Sequence, residues 1–206
     1  MKKVILFSSL VILIFFISSF TKEKNKTEFS LLFSTEATTA LTQQQVRIYS
    51  NLNIPFLGRT FNGFKEAVAF KESQGRYDIV NTYGYLGKYQ FGKSTLNRLK
   101  VYDTTYFLKN PELQEDAFIA LCSLNKWILK RDIKRSVGKK INGIVITESG
   151  ILAAAHLGGA GNVKKYLRSN GQNIFKDAFG SSVQHYIKKF ANYDTSFIKA
   201  NKNPVI

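Results

Sequence analysis

From about residue 40 onward, apolar positions recur three to four residues apart, while the strict alternation of a half-buried strand is scarce. The stretch "TALTQQQVRIYSNL" predicts a first helix. In "FNGFKEAVAFKES", Phe64, Ala67, Val68 and Glu72 fall on one helical face, with Asn62 as the expected cap. "NPELQEDAFIALCSLNKWILK" has Asn110 as cap and Pro111 at the first helical position. Its stripe is Leu113, Ala117, Ala120, Leu121, Leu124 and Ile128. A helix is predicted from Thr147 to the glycines of "HLGG", another from Asn162 to a stop at Gly171, and a last one with Val183, Tyr186, Ile187 and Phe190 inward. Only "GYLGKYQF" suggests a short strand or a turn. The pattern implies a mainly α domain over residues 40–206.

The N-terminus follows another rule. "MKKVILFSSLVILIFFISSF" sets Lys2 and Lys3 before an apolar run from Val4 to Phe20, apolar on every face. This is the layout of an export signal. The run approaches the length of a membrane span, so residues 1–20 read either as a cleaved signal peptide or as a retained membrane anchor through residues 4–20. Residues 21–39, beginning "TKEKNKTEFS", mix charges without a period and read as a polar tether. The expected location is the cell envelope or the medium.

Composition narrows the partners. The chain has 206 residues, 44% of them apolar, enough for one core. Lys and Arg outnumber Asp and Glu by 30 to 14, a formal charge of +16, and +14 once Lys2 and Lys3 are removed with a signal. Such a surface suits an acidic polymer, an anionic lipid or a nucleic acid. The single cysteine, Cys122, excludes a disulfide scaffold, and with two histidines it leaves no soft-ligand metal cluster. No metal or other cofactor is expected.

Against this basic background one acid stands out. Glu72 belongs to the apolar face of its helix and sits near the C-terminal end. Burial and the negative end of the helix dipole both disfavour its anion, and a carboxyl kept protonated is what a general acid needs. A boundary Glu that reaches back to water, or pairs with a Lys such as Lys71 or Lys88, is the plainer alternative. The loop after it, "GRYDIVNTYGYLGKYQFG", holds Gly75, Gly84, Gly87 and Gly92, where backbone can approach a ligand. Tyr77, Tyr83, Tyr85 and Tyr89 offer flat faces to sugar rings, and Asn81 and Gln90 offer hydrogen bonds to acetamido groups.

Taken together, "ESQGRYDIVNTYGYLGKYQFG" resembles the catalytic segment of the lysozyme-like soluble lytic transglycosylase superfamily. The matching elements are Glu72–Ser73 closing a helix and Gly87-Lys88-Tyr89-Gln90 as the Gly-x-x-Gln element. "LAAAHLGGAGNVKKYL" resembles that superfamily's Ala-rich helix with its glycine turn, and "DAFGSSVQHYIKKFANYD" its closing helix in one branch. The resemblance spans roughly residues 60–195, with its parts in the expected order. Well-known members read Gly-Leu-Met-Gln and Ala-Tyr-Asn-Ala-Gly where this chain has Gly87–Gln90 and Ala155–Gly159.

The resemblance implies a lysozyme-like fold and cleavage of peptidoglycan glycan strands between N-acetylmuramic acid and N-acetylglucosamine. It implies Glu72 as the single catalytic acid. Ser73, Asn81, Tyr83, Tyr85, Gly87, Tyr89, Gln90, His156, Gly158 and Gly159 would line the groove. His156 reads equally well as a packed helix-end histidine. The only other acid in the motif, Asp78, has no catalytic role in the superfamily; without a partner carboxylate, the expected reaction is transglycosylation to a 1,6-anhydro product rather than hydrolysis by a muramidase. Glu148 follows the N-cap Thr147 and reads as a helix-start charge, and His185 as solvated. A non-catalytic wall-binding module is a further alternative. The clusters "LKRDIKR" and "GKK" faintly suggest a membrane or nucleic-acid binder, but they suit the acidic wall better, so no nucleic acid is expected. The chain is expected to be a monomer.

Overall fold

The structure, a computed structural model, describes residues 57–206, which lie in one compact unit, Phe56–Ile206. The apolar run 4–20, the tether 21–39 and the helix predicted at "TALTQQQVRIYSNL" lie outside the described residues.

The described chain is mainly helical. Helix α1 spans Phe61–Ser73, α2 Lys93–Arg98, α3 Thr104–Lys109, α4 Pro111–Ser136, α5 Glu148–Arg168 and α6 Val183–Lys189. A two-stranded antiparallel hairpin, β1 Lys140–Ile141 and β2 Ile144–Val145, joins α4 to α5. Its turn, Asn142–Gly143, has φ of 49° and 75°. Positive φ at both central residues matches the twist of the flanking strands, and Asn-Gly adopts it at little cost.

Helix starts follow side-chain chemistry. Asn110 accepts the Leu113 N–H at 3.0 Å, with Pro111 in the first turn. Thr147 accepts the Gly150 N–H at 3.1 Å. The cap of α1 is Thr60 rather than Asn62: its hydroxyl accepts the Gly63 N–H at 3.1 Å, and Asn62 falls inside the first turn. The two helices expected between Thr147 and Gly171 are both present, as the two arms of α5, separated by a break at Gly159, where φ is 77° and ψ 154°. Gly159 alone takes the non-helical angles, which only glycine adopts freely, and the chain kinks there.

Helix α5 packs against both α4 and α6. Its segment Ser149–Ala155 is buried on all sides, which explains why it is built of small and aliphatic residues. At Gly150 a Cβ would lie 2.5 Å from the Ile187 carbonyl oxygen, so glycine there lets α6 approach closely. The predicted inward residues of α6, Val183, Tyr186, Ile187 and Phe190, are all buried. The charge run "LKRDIKR" is not uniformly solvated: Asp132 is 1% exposed and accepts from Arg168 Nε at 3.0 Å and Arg135 Nη2 at 2.5 Å. Burial pushes its carboxyl up, but the two guanidinium groups outweigh this and hold it below the usual carboxylate range.

Candidate active site

Helix α1 ends where Gln74 takes the left-handed conformation, φ 59°, and its N–H returns to the helix carbonyls of Ala69 and Phe70. The preceding Ser73 is buried. Its hydroxyl donates to the Lys88 carbonyl at 2.7 Å and accepts the Arg76 N–H at 3.0 Å. This residue therefore pins the helix end to the returning loop. That loop is shaped by bridges pairing Val80 with Leu86 and Leu86 with Phe91, so that of the short strand or turn expected at "GYLGKYQF" the structure has the turn.

At this junction Glu72 lines an open cleft of about 510 Å³. Tyr186 Oη, from the buried face of α6, donates to Glu72 Oε1 at 2.7 Å. Burial and then the neighbouring Glu72 charge push the Tyr186 phenol up, so it remains a donor. Among the described residues Glu72 pairs with neither Lys71 nor Lys88, the latter being committed to Glu66 and Glu115 at 2.7 Å each; Glu72 itself is half-buried.

The predicted residues divide into two groups. Glu72, Ser73, Asn81 and Gln90 share the cleft lining. Gln90 takes a positive φ of 51° and ties its Nε2 to the Gly87 carbonyl at 2.9 Å, leaving Oε1 as its acceptor. Asn81 Oδ1 accepts the N–H groups of Tyr83 at 2.9 Å and Tyr85 at 3.0 Å, leaving its amide nitrogen as a donor. Tyr83 is exposed and meets Phe179, a residue of the lining, edge to face at 4.9 Å between ring centroids.

The second group serves packing. Tyr89 is fully buried, stacked on Phe118 at 4.1 Å, with its hydroxyl donating to Glu115 at 2.8 Å; it has no face to offer a sugar. Gly87 approaches protein rather than ligand: a Cβ there would lie 2.1 Å from Gln114 Oε1, which accepts the Lys88 N–H at 2.8 Å. His156 packs against Phe91 and Phe118, with Nε2 2.7 Å from the Tyr89 carbonyl oxygen, and it is not among the cleft residues. Tyr85 is exposed beside Gly92 and is likewise outside the lining. Gly159 makes the bend of α5. Gly158 seats Phe175, whose ring a Cβ would meet at 2.8 Å.

That seat matters to the cleft. Phe175 opens the loop before α6, closed by the Lys176–Ser182 bridge, and this loop carries Asp177, Phe179 and Ser181 into the lining. Phe70, Lys71, Gln74, Arg76, Ile79, Tyr186 and Lys189 complete the contributions that sequence reasoning missed. The helical pattern had marked Tyr186 as inward, but no local signal showed that its hydroxyl would reach Glu72. Asp177 is a second carboxylate in the cleft, and its distance along the chain from Glu72 hid it. Its Oδ1 accepts the N–H groups of Phe179 at 3.0 Å and Ser181 at 2.7 Å.

Behind the loop lies a charged network. Glu115 accepts from Lys65, Lys88, Tyr77 and Tyr89. Burial pushes its carboxyl up, but these donors outweigh it and hold the group at about 2. Glu148 pairs with Lys126 and accepts from Thr195, both at 2.7 Å, in keeping with a structural charge at a helix start. Among the described residues, no group of three His, Cys, Asp or Glu is placed to hold a metal ion. No family model, curated protein or solved structure matches this chain.

Proposed function

We propose that the chain cleaves the glycan strands of peptidoglycan between N-acetylmuramic acid and N-acetylglucosamine, with Glu72 as the sole acid, as a lytic transglycosylase. The observation that carries this reading is Glu72 at a helix end, one carboxyl oxygen held by the Tyr186 hydroxyl, facing a cleft edged by Phe70, Phe179 and amide groups. With Oε1 occupied, Oε2 is the oxygen that delivers a proton to the glycosidic oxygen. The glycosidic bond breaks, and the acetamido oxygen of the muramoyl sugar closes on the anomeric carbon. Glu72, now a carboxylate, takes the proton of the 6-hydroxyl as that oxygen displaces the acetamido group, closing the anhydro ring.

Asp177 favours a second reading, hydrolysis, in which it would prepare a water on the other side of the sugar. Its commitment to two loop N–H groups makes it a loop-holding residue first, so transglycosylation is preferred. The chain's +16 charge suits an acidic wall polymer. The export layout of residues 1–20 would bring the chain to that polymer.

The test is digestion of purified sacculi, with the released fragments identified by mass. Transglycosylation gives fragments ending in 1,6-anhydro-muramic acid, one water lighter than hydrolysis products. Fragments with reducing ends alone would establish hydrolysis and bring Asp177 forward. Binding to sacculi without release would mean a wall-binding module.

A further inference from the structure

A second hollow of about 670 Å³ shares no lining residue with the cleft. Its wall includes Arg98, Lys100, Tyr102, Tyr106, Trp127 and Lys202. Tyr102 and Tyr106 are 70% and 59% exposed, so their rings are open to a ligand. The placement of Tyr106 is fixed by hydrogen bonds. Asp103 caps α3 by accepting the N–H groups of Thr105 and Tyr106 at 2.9 Å each, and the Tyr106 hydroxyl accepts from Asn110 Nδ2 at 3.0 Å.

The charge of the hollow is cationic. Lys202 and the adjacent Lys130 lie over the Trp127 ring, 5.6 and 5.3 Å from its centre. Among the described residues, none of Arg98, Lys100, Lys130 and Lys202 forms a salt bridge. Asp103 is the only acidic side chain in the wall, and it is engaged in capping. Cations that form no salt bridge among the described residues, set beside open aromatic faces in a concavity, fit a ligand with carboxylates and a sugar ring.

We propose that this hollow is a second, non-catalytic site for the acidic glycan of the wall. Arg98, Lys100 and Lys202 take the carboxylates of muramoyl-peptide units, and a sugar ring lies on the exposed tyrosines. The ligand assignment rests on the peptidoglycan reading above; the hollow itself does not. Two attachment points on one polymer would raise the effective concentration of glycan at the cleft.

Trp127 is the only tryptophan of the chain, so its emission reports on this hollow alone. The full-length Glu72→Gln chain is titrated with an uncross-linked disaccharide-tetrapeptide, with chitotetraose and with a ten-residue oligothymidylate. The disaccharide-tetrapeptide is expected to shift the emission saturably and less strongly in high salt, with chitotetraose inert at the same concentration. Combined R98E, K100E and K202E should weaken that binding about tenfold. In the otherwise wild-type chain the same three changes should reduce attachment to sacculi while leaving cleavage of short soluble glycans unchanged. Unchanged emission with the disaccharide-tetrapeptide, equal binding by the triple variant, or tighter binding of the oligothymidylate would each overturn the proposal. If wild type releases nothing from sacculi yet the emission shift persists, the catalytic reading fails and the hollow stands. If release occurs without any emission shift, the reverse holds.

Discussion

Single contacts decide whether Glu72 is usable. The Tyr186 hydroxyl is its only hydrogen-bond partner among the described residues, so Tyr186→Phe leaves the ring's packing but frees the carboxyl. We expect a loss of about 1 kcal/mol in stability and a drop in glycan cleavage of roughly tenfold, read as kcat with little change in KM. Glu115 makes the opposite kind of prediction, one for stability alone. Replacing it with Gln leaves the Lys88 ammonium, buried at 4% exposure, with Glu66 as its one remaining acidic partner. Denaturant unfolding should show a loss of about 3 kcal/mol. The sequence displayed Glu72 by its position on an apolar helix face, and it displayed Ser73, Asn81 and Gln90 by their place in the loop. It could not separate Tyr83, which stays at the surface, from Tyr89, which is stacked inside. Both are tyrosines in one glycine-rich run, and only the tertiary position of Phe118 and Glu115 distinguishes them.

Among elements, the loop before α6 is the part that long-range packing decides. It carries Asp177 and Phe179 to the cleft because Phe175 rests on Gly158. Gly158→Ala places a methyl against that ring, at 2.8 Å before any relaxation. We expect Phe175 to be displaced and glycan binding to weaken several-fold, while Glu72 and Tyr186 keep their contact. A crystal structure of the variant and its KM would check this. The long helices were legible from their apolar stripes and caps, since Asn110–Pro111 and Thr147 act locally. One short feature escaped. The Asn142–Gly143 hairpin is signalled by Asn-Gly between isoleucines, a cue that helical periodicity overshadowed. The break inside α5 was legible, because the glycine pair marks the place where Gly159 leaves helical angles.

For the molecule as a whole, charge governs both stability and partners. Glu115 is held at about 2, against 4.5 for an unconstrained glutamate, and Asp132 is lowered as well. A depressed carboxyl stabilises the fold fully above its unfolded value. That contribution is lost as pH falls from about 4.5 towards about 2. For Glu115 this amounts to roughly 2 kcal/mol after allowing for its partial exposure. The midpoint of thermal unfolding should therefore hold steady near neutrality and decline through that acid window, with a smaller decline in Glu115→Gln. The location of the chain is predicted from residues 1–20. A C-terminally tagged full-length chain should fractionate with the envelope or the medium, and a wholly cytoplasmic pool would contradict export.

The central claim is that Glu72 is the acid that breaks the glycan. It is tested most directly by the rate at which purified sacculi release soluble fragments, compared between wild type and Glu72→Gln at matched concentration and equal thermal stability. The amide can still accept the Tyr186 hydroxyl but cannot donate a proton as a carboxylic acid does. The account predicts that release by the variant falls about a thousandfold while its attachment to sacculi is retained. Release by Glu72→Gln at close to the wild-type rate would contradict it.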